Sequence, residues 1–284
     1  MTQLGQKIGF IGAGNMGEAM IGALIRSGVA APSRIFIHEL RKEHADALKN
    51  KYGIVLLSDN KEVLRACDVI IFAVKPQSID QVLSDLQSKK AFREISSRKL
   101  LITIAAGKRI ALFEKYIYPD LDDQQQRMIP ILRIMPNTPA LVGAGISGLC
   151  ANIHAIASDI ETVQKILLPM GKVLECQEKD MDAVTAMSGS GPAYCFYIME
   201  AMMEAGVALG FSETTSADLT ISTFKGAIAL LEQMKESPKT LRRNVTSPGG
   251  TTEAAIRILD ENGVKDSIIH AIRAAARRSE ELSE

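Results

Sequence analysis

Three glycines near the start of the chain have the spacing of a nucleotide-binding turn. Gly12, Gly14 and Gly17 form a GxGxxG pattern between an apolar segment and a helix-compatible one. In such a turn the first glycine permits a tight bend, the second lets backbone approach a diphosphate, and the third lets the helix pack on the strand. The anion then lies at the positive end of the helix. The pattern predicts dinucleotide binding, with an ordinary glycine-rich turn as the alternative.

An acidic residue and two cations follow the second predicted strand. Glu39 lies about 20 residues beyond the glycines, where a carboxylate can accept hydrogen bonds from both hydroxyls of an adenosine ribose, which favours NADH. Arg41 and Lys42 favour the opposite choice, because cations at this place can hold the 2′-phosphate of NADPH. Their alternative role is ordinary surface charge. The residues therefore leave the preference between NADPH and NADH open.

Two further turns follow apolar strands. Ala73, Val74 and Lys75 lead into a proline, and Ala105 and Ala106 lead into a glycine. In an open parallel sheet, ligands bind beyond the carboxyl ends of the strands. We therefore expect both turns to line the cofactor crevice, with plain strand termination as the alternative.

A second glycine-rich turn occurs near the carboxyl end of the chain, in the sequence SPGGTTE that begins at Ser247. It exposes backbone N–H groups and the hydroxyls of Thr251 and Thr252 at a predicted helix start, which suits a substrate carboxylate. The structural alternative is helix capping by threonine. A third small-residue segment, SGSGPAY at residues 188–194, does not fit the GxSxG motif of serine hydrolases and is interpreted as a turn feeding a helix.

The composition argues against several other functions. The net charge is zero and aromatic residues make up only 5% of the chain, which disfavours nucleic-acid binding. The four histidines lack metal-ligand spacing, so no metal site is expected. The cysteines form no CxxC pair and are interpreted as apolar core residues in a reducing cytoplasm. They are Cys67, Cys150, Cys176 and Cys195.

No membrane segment is expected. The first residues lack the charged and long apolar regions of a signal peptide. The longest apolar runs, such as residues 69–74, are far shorter than the roughly 20 residues that span a bilayer. A soluble cytoplasmic protein with a small-molecule partner, and no nucleic-acid or membrane partner, is predicted.

The first half of the chain alternates apolar strand-like segments with helical ones. This pattern predicts an α/β fold with an N-terminal Rossmann domain, a doubly wound parallel sheet. A polar stretch at residues 119–127 is interpreted as a surface loop. The predicted strands cover residues 7–11, 34–38, 69–74, 100–104, 132–135, 145–149 and 173–176, and the predicted helices cover 18–27, 43–52, 61–66 and 79–86.

The character of the sequence changes after the last strand-like segment. From Met181 onward it is rich in Ala, Met, Leu and Glu, which predicts an all-α domain. A helix around residues 197–209 is apolar on nearly every side, so we expect it to be buried in a homodimer. The chain is thus divided into a dinucleotide-binding domain at residues 1–178 and a helical dimerisation and substrate-binding domain at 179–284.

Taken together and in order, the motifs resemble those of Δ1-pyrroline-5-carboxylate reductases over nearly the whole chain. They are GFIGAGNMG, AVKP, IAAG, MPNTPALVGAG, DAVTAMSGSGPAY and VTSPGGTTEAAI. The resemblance implies a Rossmann domain, a C-terminal helical domain interlocked into a dimer that often assembles further, and NAD(P)H-dependent reduction of the pyrroline C=N bond to L-proline, the last step of proline biosynthesis.

The resemblance also implies site residues. Thr252 is the implied catalytic residue, whose hydroxyl bonds the ring nitrogen. Substrate contacts are implied at Glu178, Asn244, Gly250, Thr251 and Thr252. Cofactor contacts are implied at Ile11, Gly12, Ala13, Gly14, Asn15, Met16, Glu39, Arg41, Asn60, Ala73, Val74, Lys75, Ala105 and Ala106.

The chain departs from the family pattern at two places. Glu39 stands where many NADPH-using members have a small hydroxyl residue, and Arg242 and Arg243 replace the commoner Lys-Asp. Two alternatives remain. A β-hydroxyacid dehydrogenase would need a catalytic lysine after residues 188–192, and none occurs at 193–198. A cofactor-sensing module without turnover would not need Thr252 and its turn.

Overall fold

The computed structural model describes residues 3–283. Its chain divides into two compact units. The first runs through Ser190 and also includes the segment from Ala275 onward, and the second is Gly191–Ala274. This division falls later than the boundary predicted after residue 178, and it assigns the end of the last helix to the first unit.

The first unit contains an eight-stranded sheet in the spatial order β3-β2-β1-β4-β5-β6-β7-β8. All neighbouring strands are parallel except β6 and β7, which are antiparallel. The predicted doubly wound α/β sheet is thereby confirmed. The strands are β1 (Ile8–Ile11), β2 (Ile35–His38), β3 (Val55–Leu56), β4 (Val69–Phe72), β5 (Leu100–Thr103), β6 (Ile131–Met135), β7 (Gly145–Ala151) and β8 (Gly171–Glu175).

The central strands lie where short apolar β-branched runs predict them. Every residue of β1, β4 and β5 is buried, as expected for parallel strands covered on both faces. Alternate residues face the two cores: Phe10 and Ile71 belong to one, Ile70 and Phe72 to the other. The two-residue β3 was missed because so short a segment has no detectable period.

The antiparallel pairing of β6 and β7 was not predicted. A short 3₁₀ helix, Thr138–Val142, joins the two strands and ends at Gly143 with a φ of +74°. A parallel pair needs a crossover of a dozen or more residues, usually a helix. This connection is too short for one, so the chain reverses direction.

The helices of the first unit cover both faces of the sheet. They are α1 (Asn15–Arg26), α2 (Lys42–Tyr52), α3 (Asn60–Ala66), α4 (Ile79–Ser88), α5 (Ile110–Ile117), α6 (Asp123–Arg127), α7 (Ala157–Leu167) and α8 (Met181–Val184), followed by a π-helical turn at Thr185–Gly189. Further 3₁₀ helices are Pro32–Arg34, Pro76–Ser78, Ala91–Glu94, Leu168–Met170 and Glu178–Asp180.

Helix α6 corrects the interpretation of residues 119–127 as a loop. The Asp122 side chain accepts a hydrogen bond from the Gln125 N–H at 2.8 Å, and the Gln125 side chain accepts one from the Asp122 N–H at 3.0 Å. This capping box stabilises a helix start without any apolar face. The signal was therefore local capping, not hydrophobic periodicity.

The second unit is helical, as predicted. Its helices are α9 (Gly191–Ala208), α10 (Glu213–Met234), α11 (Pro238–Asn244), α12 (Thr251–Glu261) and α13 (Val264–Ser283), the last of which ends in the first unit. The segment at residues 188–192 feeds a helix as predicted, with Pro192 in the first turn of α9, but the residues before it form a π-helical turn at Thr185–Gly189.

Helix α9 leaves large apolar side chains uncovered in the single chain. Phe196 is 60% exposed and Tyr197 is 74% exposed. Exposed apolar area of this kind marks an interaction surface.

The cysteines do not all behave as core residues. Cys67 and Cys150 are buried, and burial raises the pKa of each thiol to about 12. Cys176 is half-buried, whereas Cys195 is exposed, so the core interpretation is wrong for Cys195 within the single chain. The described residues contain neither a cluster of potential metal ligands nor a helix long and apolar enough to cross a membrane.

Candidate functional site

The first glycine turn has the geometry predicted for a diphosphate cradle. Gly12 has a φ of +81°, and a Cβ placed on it would lie 2.5 Å from Val74 Cγ1. A Cβ on Gly17 would lie 3.3 Å from the Cβ of Ala73. A Cβ on Gly14 would meet no atom within 4 Å. The first glycine is therefore required by its backbone conformation and by packing, the third lies in a tight contact with Ala73, and the middle glycine leaves space for a ligand.

Helix α1 begins inside this turn. Gly14 is its N-cap and provides no side-chain cap. Within the described chain, the N–H groups of Asn15, Met16 and Gly17 form no hydrogen bonds. Free N–H groups and the helix dipole favour an anion at this point. The turn thus fits the diphosphate of a dinucleotide, flanked by the buried residues Ile11 and Ala13.

Glu39 lies beneath the turn, and both of its carboxylate oxygens accept hydrogen bonds from the protein. Its Oε2 accepts a hydrogen bond from the Ala13 N–H at 3.1 Å, and its Oε1 accepts bonds from the backbone N–H of Arg41 at 3.1 Å and from Arg41 Nε at 3.0 Å. Burial by itself raises the pKa of Glu39, but the bonds from Arg41 and Ala13 outweigh it, so the pKa lies below its usual value. The Glu39 side chain is 9% exposed and that of Arg41 is 64% exposed.

Sequence reasoning missed His44, which also supports the turn. Its Nε2 lies 2.7 Å from the Ala13 carbonyl oxygen. A single histidine on a helix carries no sequence signal for such a contact, because its partner lies 31 residues away.

The remaining predicted cofactor residues lie at the same edge of the sheet. The Ala73 N–H donates to Ile11 O at 2.9 Å, and the Ile104 N–H donates to Phe72 O at 3.3 Å. Val74 and Lys75 follow Ala73 after β4, while Ala105 and Ala106 follow β5. Asn60 is the first residue of α3, after the short β3. The first unit thus collects all fourteen predicted cofactor positions, and their contacts with a cofactor stay predictions.

Glu178 also lies in the first unit. Its Oε1 accepts a hydrogen bond from the Ile110 N–H at 2.7 Å and lies 3.4 Å from Nη1 of Arg133. Arg133 is buried, and its Nη2 has no hydrogen-bond partner among the described residues. Arg133 was missed because a lone arginine within an apolar strand has no spacing signal.

The second glycine turn precedes α12 in the second unit. Gly249 has a φ of +73°, and its N–H donates to Glu253 Oε2 at 2.7 Å. The Gly250 N–H donates to Ser247 O at 3.0 Å. These two bonds hold the turn in place from both sides. Asn244 ends the preceding helix α11.

The threonines after this turn do not cap the helix. Gly250 is the N-cap and makes no side-chain cap bond. Among the described residues, neither the backbone N–H groups nor the hydroxyls of Thr251 and Thr252 form a hydrogen bond. The capping alternative is therefore wrong, and this helix start retains free donors for an anionic ligand.

An open groove of about 520 Å³ runs beside the second turn. The groove is lined by Thr246, Gly249, Gly250, Glu253, Ala254, Ile256, Arg257, Asp260 and Glu261. Of the predicted substrate residues in the second unit, Gly250 lines this groove, Asn244 precedes the turn, and Thr251 and Thr252 follow it.

Two protein-family models match the chain. Residues 7–107 match NADP oxidoreductase, coenzyme F420-dependent, and residues 178–282 match pyrroline-5-carboxylate reductase dimerisation. The second match includes the exposed apolar helix α9.

Known proteins match over nearly the full length. The pyrroline-5-carboxylate reductase of Corynebacterium melassecola is 38% identical, with 97% of this chain and 98% of the relative covered. The solved structure of a pyrroline-5-carboxylate reductase from Coxiella burnetii matches with a TM-score of 0.85 at 35% identity, and the match covers 98% of this chain and 99% of that one. The Plasmodium falciparum pyrroline carboxylate reductase, solved with NADP bound, has a TM-score of 0.87 at 30% identity and full coverage of both chains. The chain belongs to the pyrroline-5-carboxylate reductase family.

Proposed function

We propose that the protein reduces the C=N bond of 1-pyrroline-5-carboxylate with NAD(P)H to form L-proline. The observation that carries this proposal is the 38% identity to a named reductase across 97% of the chain. The two glycine turns support it, since each presents free donors at a helix start where an anionic group can bind. The residues of the two turns are those implied by the family motifs.

The first turn is proposed to hold the cofactor. The N–H groups at the start of α1 would bind the diphosphate, and the space above Gly14 lets the backbone approach it. The turns after β4 and β5 would contact the nicotinamide half, because they lie at the carboxyl edge of the sheet beside the glycine turn.

The second turn is proposed to hold the substrate. Free N–H groups at Thr251 and Thr252 suit its carboxylate, and the unbonded Thr252 hydroxyl suits the ring nitrogen. When bound, NAD(P)H supplies a hydride to the imine carbon, and the nitrogen carries the proton that completes the amine. The chain's own contribution is to orient the ring and to hold that nitrogen, so positioning is expected to supply most of the rate.

We further propose that the enzyme prefers NADPH. The oxygens of Glu39 are occupied by Ala13 and Arg41, whereas the Arg41 guanidinium is largely exposed. A carboxylate engaged in this way is a poor partner for ribose hydroxyls, and a guanidinium held by a carboxylate is a preorganised partner for a phosphate.

Replacing Arg41 tests this preference. Arg41→Ala should raise KM for NADPH about 10-fold, since a charge-assisted hydrogen bond contributes about 1.5–3 kcal/mol, and should leave KM for NADH unchanged. Arg34→Ala removes an exposed arginine on the preceding 3₁₀ helix and serves as the control. Equal effects on both cofactors would contradict the proposed preference.

The dimerisation model and the exposed face of α9 support self-association as a homodimer. Further assembly of dimers and a cytoplasmic location are part of the proposal. Sedimentation at micromolar concentration measures the assembly, and a stable monomer would contradict it.

One assay tests the activity itself. The protein is mixed with 1-pyrroline-5-carboxylate and either NADH or NADPH, and the loss of reduced cofactor and the formation of proline are measured in parallel. Cofactor oxidation matched by proline formation is expected. Cofactor binding without turnover would replace the proposal with a cofactor-sensing role.

A further inference from the structure

The turn after β5 is built around one glycine. The Lys108 N–H donates to Ala105 O at 3.3 Å, which closes the turn, and Gly107 has a φ of +70°. This conformation favours glycine. Ala105 and Ala106, the predicted cofactor contacts, lie in the same turn.

The end of the last helix lies directly against this turn. A Cβ on Gly107 would lie 2.9 Å from Leu282 O and 3.1 Å from Leu282 Cβ. Gly107 is consequently buried although its turn follows a strand end. The backbone of α13 therefore limits where the Ala105–Lys108 turn can lie.

A buried carboxylate fixes the end of α13. Asp182 is 6% exposed, and its Oδ1 accepts hydrogen bonds from Ser279 Oγ at 2.6 Å and from Ser283 Oγ at 3.3 Å. Ser279 is itself 5% exposed. A buried charge is tolerated only where it is paired or hydrogen-bonded, so this geometry is strongly specified.

The same carboxylate also reaches the residues that follow the turn. Its Oδ2 lies 3.8 Å from Nη2 of Arg109, and the neighbouring Ile110 N–H donates to Glu178. Asp182 thus contacts both the helix that covers Gly107 and the segment that leaves the turn.

We propose that Asp182, Ser279 and Leu282 are positioning residues that hold the Ala105–Gly107 turn in its cofactor-binding place. The end of α13 acts as a brace on this turn, and the Asp182–Ser279 bond holds the brace. The inference rests on the proposed function, because it assumes that this turn contacts the nicotinamide cofactor.

Two variants of the full protein test the brace. Ser279→Ala removes the bond to Asp182, and a stop after Glu281 removes Leu282 and Ser283 with it. Ser267→Ala is the matched control, because Ser267 lies on the same helix and bonds only its own backbone, at Gly263 O. Thermal unfolding confirms that each variant is folded.

Three readouts separate the inference from the proposed function. Both test variants should speed amide hydrogen exchange at residues 105–110 and raise the Kd for NADPH, measured by fluorescence titration without substrate, about 10-fold, the change that 1.4 kcal/mol produces. KM for the pyrroline substrate should change less than twofold. Ser267→Ala should leave all three unchanged.

Faster exchange at the turn with an unchanged Kd would overturn the positioning role and leave the proposed activity standing. Unchanged amide exchange at residues 105–110 in both variants would show that the end of α13 does not hold the turn. A wild-type protein that binds the cofactor but forms no proline would refute only the reductase activity, whereas one that binds neither cofactor would overturn both proposals.

Discussion

The two glycine turns, before α1 and before α12, have the same local geometry at the helix start but different surroundings. Gly14 and Gly250 are both N-caps without a capping side chain, and both leave free N–H groups in the described chain. The first turn is packed inside its own unit, against Val74 and Glu39. Among the residues that the structure describes, the second is held by short-range bonds, from the Gly249 N–H to Glu253 and from the Gly250 N–H to Ser247.

The two turns differ in whether the core or local contacts determine their conformation. A turn packed among buried strands has its shape determined by the core, so a substitution in it that overlaps the core costs stability. A turn at an exposed helix start has its shape determined by local contacts, so substitutions in it cost ligand binding and catalysis. Substitutions in the two turns should therefore separate stability from activity.

The largest effect is expected at Thr252 in the second turn. Thr252→Ala should lower kcat/KM by about 10²–10⁴, the range for loss of a positioned proton-transfer partner, and should leave the unfolding free energy unchanged because the hydroxyl caps nothing. Thr252→Ser should retain most of the activity, and Thr162→Ala, on helix α7 of the first unit, controls for general effects. Wild-type kinetics in Thr252→Ala would remove Thr252 from the catalytic site.

The second effect is expected at Gly12 in the first turn. Gly12→Ala should lower the unfolding free energy by about 2–4 kcal/mol, through the positive φ and the overlap with Val74. Urea denaturation measures this loss. Gly5→Ala, whose added Cβ meets nothing within 4 Å, is the control. An unchanged midpoint would mean that the turn relaxes freely and that the contrast between the two regions is wrong.

Gly14 should behave differently from Gly12 although it lies two residues away. Gly14→Ala should cost about 1 kcal/mol of stability or less, because its φ of −66° suits alanine and the added methyl meets open space, and only the poorer N-cap preference of alanine counts against it. The methyl would occupy the place of the diphosphate, so KM for NADPH should rise about 10-fold or more. A loss of stability without a change in KM would contradict the assignment of this space to the cofactor.

The smallest effect is expected at Glu253. Glu253→Ala removes the acceptor of the Gly249 N–H and should cost about 0.5–1.5 kcal/mol at most, with a small rise in KM for the pyrroline substrate. Glu253→Gln keeps an acceptor and should retain the wild-type KM. A large loss of stability in Glu253→Ala would show that the second turn is not merely locally determined.

Much of the fold was predictable because its signals are local. The apolar runs of β1, β4 and β5 and the glycines that follow β1 lie in sequence where the structure has them. The antiparallel β7 was not predictable from periodicity, because strand direction depends on the length of the connection. Helix α6 was missed because it has no apolar periodicity, and its signal is the capping box between Asp122 and Gln125.

The sequence by itself determined the alternation of strands and helices and the position of both glycine turns. Only the tertiary structure decided that Glu39 bonds Ala13 and Arg41, that Arg133 lies beside Glu178, and that Asp182 holds Ser279. Asp182 and Ser279 are 97 residues apart. Pairings of this kind leave no periodic pattern in the chain, because they arise only when packing brings distant elements within hydrogen-bonding distance.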